Sequence, residues 1–169
     1  MLRHLIDKTL DWLLIIQLAV MSLVVAANVF FRFVLNQSIY WADELAMILM
    51  VWLTFLGAAV AIRDRAHYLF AWLIHKLEGR ALKIYIVTGH LFMIAATLLL
   101  GWHSFQVTAG ITDWIMPALE ISRAWVYAAA PTGCVFMLYY SIGHLIQAIR
   151  EPAATIPSKG EITESELPL

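Results

Sequence analysis

The sequence predicts an all-α integral membrane protein with four transmembrane helices, and three observations carry that reading. Hydrophobic residues make up 62% of the chain and charged ones only 14%, whereas an ordinary soluble domain is about a quarter charged. The apolar residues arrive in long blocks rather than at alternating positions. Lys and Arg gather at alternate ends of those blocks. A net charge of −1 leaves no basic footprint for nucleic acid. The single cysteine, Cys134, lies inside an apolar block and has no partner for an internal disulfide. One four-span membrane domain over residues 1–150 is expected. The polar tail, 151–169, holds Pro152, Pro157, Pro168 and several acids, and is expected to be disordered.

The first span is placed at 12–35 and is interrupted only by Gln17, Asn28 and Arg32. Asp7 and Asp11 ahead of it, and its length, favour a retained helix over a cleaved signal peptide. Trp12 to Arg32 rises about 30 Å as a helix, so Arg32 is expected at the far interface, snorkelling to the headgroups. The short polar link Asn36-Gln37-Ser38 then requires an antiparallel hairpin. The second span, 42–62, opens with Asp43 and Glu44, whose charges suit the positive end of a helix macrodipole. From Leu45 to Ile62 it carries no charge for about 27 Å, close to the hydrocarbon thickness of a bilayer. It closes on Arg63, Asp64, Arg65 and His67.

Residues 66–80 place Leu69, Phe70, Leu73, Ile74 and Leu77 at three- and four-residue spacing beside His75, Lys76, Glu78 and Arg80. This segment is too short and too charged to span, and reads as an amphipathic helix in the headgroup plane with Trp72 at the interface. The third span, 84–105, carries Thr88, His90 and Thr97. A loop over 106–123 holds Asp113, Trp114, Pro117 and Glu120. The fourth span, 124–149, contains Pro131-Thr132-Gly133, where a kink is expected. Arg3, Lys8, Arg63, Arg65, Lys76, Arg80, Lys83, Arg150 and Lys159 fall on one side of this topology, and only Arg32 and Arg123 on the other. By the positive-inside rule both termini and the in-plane helix are cytoplasmic.

Arg32, Asp43 and Glu44 meet at the outer end of the first hairpin in this reading. They pin it and present a contact for a partner protein, with Asn28 one turn away to bond Arg32. The plainer alternative has Arg32 snorkelling while the acids cap the second helix. His90 and His144 fall at similar depth, either as axial ligands of a b-type haem or as polar side chains bonding across helices. Arg63, Arg65 and His67, with Trp72 and Lys76 nearby, are placed at the cytoplasmic lipid interface, the arginines gripping lipid phosphates or acting as topogenic charge. No metal-ligand spacing, nucleophile–base pattern or phosphate loop is evident. Nor is there a midplane acid or a broken helix of the kind that builds a carrier site. A non-enzymatic scaffold without cofactor or metal follows.

Several of these residues also resemble a family, the small membrane subunit of tripartite ATP-independent periplasmic (TRAP) transporters, the DctQ-like or SiaQ-like proteins. The matching residues are Asn28 and Arg32 in NVFFRF, Trp41 and Glu44 in WADEL, and Gly57, Ala58, Ala59 and Arg63 in GAAVAIR. His67, Pro117 before Trp125 and Tyr127, and the pair Pro131 and Gly133 complete the pattern. The chain departs from it at Ala71, where an acid is usual, and at Ser122-Arg123, where a proline often stands. The resemblance implies a bacterial inner-membrane scaffold beside a large elevator-type permease that holds the substrate and coupling cations, usually sodium. A periplasmic binding protein would deliver an organic acid such as sialic acid or a C4-dicarboxylate. Asn28, Arg32, Trp41, Glu44, Gly57, Ala58 and Ala59 would face the large subunit. Asp43, Asp113, Glu120 and Arg123 would border the docking surface for the binding protein.

Overall fold

A computed structural model describes residues 2–64 and 79–150. Over those residues the chain is helical apart from one isolated β-bridge, Ile115 with Ser122. The helices are α1 (Leu2–Val34), α2 (Ala42–Arg63), α3 (Gly79–Gly110), the single turn α4 (Ala124–Tyr127) and α5 (Ala129–Arg150). Four stretches are long and apolar enough to cross a membrane: His4–Val34, Ala42–Arg63, Lys83–Gly110 and Ala124–Arg150. The expected in-plane helix and the tail from Glu151 lie outside the described residues, except that Gly79 and Arg80 open α3.

Two helices overrun their expected bounds. α1 starts at Leu2, not Trp12, because Ile6 and Leu10 continue its apolar stripe onto α2 and α5. α3 runs from Gly79 to Gly110, extending past 84–105 at both ends. The fourth span is interrupted at Ala128, one turn before Pro131. Proline has no N–H to give the carbonyl four residues back, so the helix restarts with Pro131 in its first turn, where that donor is not needed. The carbonyl of Ala128 accepts instead from both the amide and the hydroxyl of Thr132, at 3.2 and 2.7 Å.

The helices pack in the order α1, α2, α5, α3, as an open row rather than a closed bundle. α2 and α5 are its inner members, and the edge helices α1 and α3 leave most of their apolar surface uncovered. One end of the row, the loop end, carries the loops 35–41 and 111–123. The other, the termini end, carries Asp7, Arg63, Lys83 and Ile149. A small core of Leu10, Leu56, Ala59, Ile62, Met137 and Tyr140 sits toward the termini end, where α1, α2 and α5 converge.

Close backbone approach sets the two inner seams. A Cβ added to Gly133 would lie 2.7 Å from Phe55 Cβ and 3.0 Å from its carbonyl oxygen, so only glycine lets α5 come this near to α2. Gly101 of α3 lies against Cys134 in the same way, at 3.3 Å. Gly57, by contrast, faces open space, with nothing within 4 Å of an added Cβ. We therefore expect Gly133→Ala to cost about 1–3 kcal/mol of stability, because the methyl meets backbone that cannot yield. Gly57→Ala, mid-helix and unobstructed, leaves stability equal or slightly raised. Denaturation of the purified variants in detergent separates the two, and equal behaviour would refute the packing described.

Candidate functional site

At the loop end, α1 finishes with Asn36 in the left-handed conformation (φ 52°), and the amides of Leu35 and Gln37 both return to the Phe31 carbonyl. Asn28 holds the turn from within: its side-chain oxygen accepts from Ile39 N at 3.1 Å, and its amide donates to Asp43 Oδ1 at 2.9 Å. Glu44 points elsewhere. Its carboxylate accepts the backbone amides of Ala118 (3.1 Å) and Leu119 (2.9 Å), immediately after Pro117. Burial of Met116, at 1% exposure, fixes the same loop from the other side.

That loop is a tight hairpin. Met116 N donates to Ile121 O at 2.8 Å, Arg123 N to Trp114 O at 2.7 Å, and Glu120 turns the tip with φ 54°. Ser122 bonds Thr112 O through its hydroxyl, and the same oxygen accepts the amide of Ala124, the first residue of α4. The indole of Trp52 donates to Trp125 O at 3.0 Å, joining α2 to α4.

The expected cluster of Arg32 with Asp43 and Glu44 does not form. Asn28 takes Asp43, the loop amides take Glu44, and Arg32 is exposed with its guanidinium 5.9 Å from the ring centre of Phe33. The chain itself supplies the partners: Asn28 bridges Asp43 and the Ile39 amide, and the amides after Pro117 converge on Glu44, the bonds to both carboxylates being charge-assisted. Nor does Asn28 bond Arg32. Asp43, Asp113, Glu120 and Arg123 do gather at the loop end, the three acids exposed. Trp41 is also exposed there.

Ala59 is 0% exposed, within the chain's own core, so it is closed to any partner; Ala58 packs beside that core, and Gly57 stays open. Arg63, expected at the lipid phosphates, is likewise committed inside the chain. It bonds Asp11 Oδ1 at 2.7 Å, Asp64 Oδ1 at 2.8 Å and the Asp7 carbonyl at 3.2 Å. Asp7 in turn accepts the Tyr140 hydroxyl at 2.6 Å. This network ties α1, α2 and α5 at the termini end, and Lys83 adds α3 by donating to Ile149 O at 2.9 Å. Reading the sequence missed these ties. The signal was present: Asp7 and Asp11 share a helix face, and folding the hairpin about Gln37 brings Arg63 level with Asp11. Arg65, His67, Trp72 and Lys76 lie outside the described residues.

His90 and His144 do meet, buried, with ring centres 6.3 Å apart and planes at 48°. One turn away Ser141 donates to Met93 Sδ at 3.4 Å, so the two helices are in direct side-chain contact and leave no gap for a porphyrin. The haem reading therefore fails, and the pair belongs to the α3–α5 seam. Among the described residues no group of three or more His, Cys, Asp or Glu could hold a metal ion.

The described residues thus form an open row of four apolar helices, long enough to cross a membrane and tied by polar groups at both ends. Residues 21–151 match the family model of tripartite ATP-independent periplasmic transporters, DctQ component, and the chain belongs to that family of small permease subunits. It is 30% identical over 150 residues to a Haemophilus influenzae protein named as a TRAP transporter small permease, covering 88% of this chain and 86% of that one. It is 26% identical over 153 residues to the sialic acid TRAP transporter small permease SiaQ of Vibrio cholerae, covering 89% and 87%. A stretch covering 69% of this chain is also 26% identical to part of the sialic acid TRAP transporter permease SiaT of Haemophilus influenzae, but only 19% of that protein is matched.

Two outcomes follow from the ties. Glu44→Gln weakens a charge-assisted clamp, so the amides of Ala118 and Leu119 should exchange with deuterium about tenfold faster while those of α2 and α5 do not change. A double-mutant cycle of Asp11→Asn with Arg63→Gln should give a coupling of about 1 kcal/mol, reduced because the Asp11 side chain is 45% exposed. Zero coupling would show that the network contributes no stability.

Proposed function

We propose that this subunit is the fixed scaffold of a TRAP-type secondary transporter. It anchors a large elevator-type permease subunit and helps dock a periplasmic substrate-binding protein during cation-coupled, sodium-driven uptake of an organic acid. The observation that carries the reading is the open row itself. A one-layer array with apolar broad faces and closely packed seams offers area to another membrane protein. The partial match to a far longer permease chain supports a role beside such a subunit. The sialic acid names of two relatives favour an acidic substrate, with C4-dicarboxylates as the neighbouring class.

The positive-inside count puts the loop end in the periplasm and both termini in the cytoplasm of a bacterial inner membrane. Arg32, Trp41, Gly57 and Ala58 then present the permease-facing surface, while Asn28 and Glu44 act through the hairpin and loop they hold. Asp43, Asp113, Glu120 and Arg123 border the binding-protein side. Mechanically, the row widens the footprint of the fixed part, which resists tipping while a mobile domain slides.

Deleting this chain while the large subunit is still expressed should reduce uptake of the organic acid to background, and the tagged chain should co-purify with that subunit. Gly57→Leu, at a position open in the isolated chain, should lower co-purification while leaving the variant folded. Normal uptake in the deletion strain would overturn the proposal.

A further inference from the structure

Beside the loop, α2 and the α4–α5 span part to leave a cleft of about 530 Å³, lined by Met47, Val51, Phe55, Val126, Tyr127 and Ala130, with Arg123 at its lip. Met47, Val51 and Phe55 follow one another at single-turn intervals along α2, so the cleft descends about 12 Å from the loop end, close to the roughly 15 Å of one leaflet's hydrocarbon. Its floor is the contact of Gly133 with Phe55, where the two helices touch. Every lining group below the lip is apolar except the Tyr127 hydroxyl.

Arg123 is the chemical clue. The side chain is half-buried, and its guanidinium stacks 5.9 Å from the Trp114 ring centre. Among the described residues no carboxylate or carbonyl accepts from its N–H groups. On α2, Glu44 is taken by the loop amides and Asp43 by Asn28, and the exposed loop acids Asp113 and Glu120 make no ion pair with Arg123. A half-buried cation with no ion-pair partner among the described residues, at headgroup depth and above an apolar slot, is complementary to an anionic amphiphile.

We propose that this cleft binds one anionic phospholipid of the loop-side leaflet, with its phosphate on Arg123 and one acyl chain laid between α2 and α5. The depth of the slot, about that of one leaflet, and its narrow floor match an acyl chain laid along it. Bound there, the lipid fills the wedge and neutralises Arg123, completing the α2–α5 seam at the loop end. The inference needs only the membrane setting, so it stands or falls separately from the identity of the permease partner.

Native mass spectrometry of the purified full chain, with palmitoyl-oleoyl phosphatidylglycerol or the matching phosphatidylcholine added, tests it. The wild type should retain one phosphatidylglycerol per chain, in preference to phosphatidylcholine. Arg123→Gln should weaken retention about tenfold, the scale of a lost charge-assisted pair. Ala130→Phe, and independently Val51→Phe, should fill the slot and weaken it comparably, while circular dichroism confirms that each variant remains helical. Arg150→Gln should change nothing. A graded series of adducts with no preferred single lipid, or equal retention by wild type and all the variants, would overturn the proposal. So would unchanged lipid retention in Arg123→Gln alongside loss of co-purification with the large permease, which would assign the cation to a protein carboxylate.

Discussion

Apolar side chains gain little by leaving lipid for one another, because hydrocarbon tails are as apolar as leucine. Everything in this fold depends on that constraint. The row is held where backbones come close enough for dense van der Waals contact, at Gly133 with Phe55 and Gly101 with Cys134. It is also held where polar groups at the two ends of the row find each other. Asn28 with Asp43 and Glu44 with the 118–119 amides close one end, while Arg63 with Asp11, Tyr140 with Asp7 and Lys83 with Ile149 close the other. Between the two ends the helices need only be long and uncharged.

The four spans were legible in the amino-acid sequence because length and hydropathy are properties of single segments. The hairpin was legible too, since a polar link as short as Asn36-Gln37-Ser38 admits no other path. Pairing was harder. Arg32 and Glu44 looked like natural partners on charge alone, but the loop that claims Glu44 lies far along the chain and its register cannot be read from α2. Ala59 looked like an interface residue because small residues pack membrane helices, yet the same property suits it to the chain's own core. Composition tells that a close contact exists; only topology tells with whom.

The histidines teach the complementary lesson. Their equal depth followed from the span boundaries, and they do lie together. What depth could not supply was the spacing of the helices that carry them, and it is the helix contact across Ser141 and Met93 that removes the cofactor reading. At Ser122, where the resemblance leads one to expect a proline, the hydroxyl donates to Thr112 O and accepts the Ala124 amide.

A row one helix thick has seams but scarcely an interior, and this divides its residues into two populations. Positions on the seams, such as Gly133, Cys134 and Tyr140, determine whether the chain holds together by itself. Positions on the broad faces, such as Gly57, Phe92 and Leu23, are invisible to that question. Selection on folding and selection on assembly therefore act on nearly disjoint sets of sites, so the two faces are free to drift toward a new neighbour while the slab that bears them stays the same.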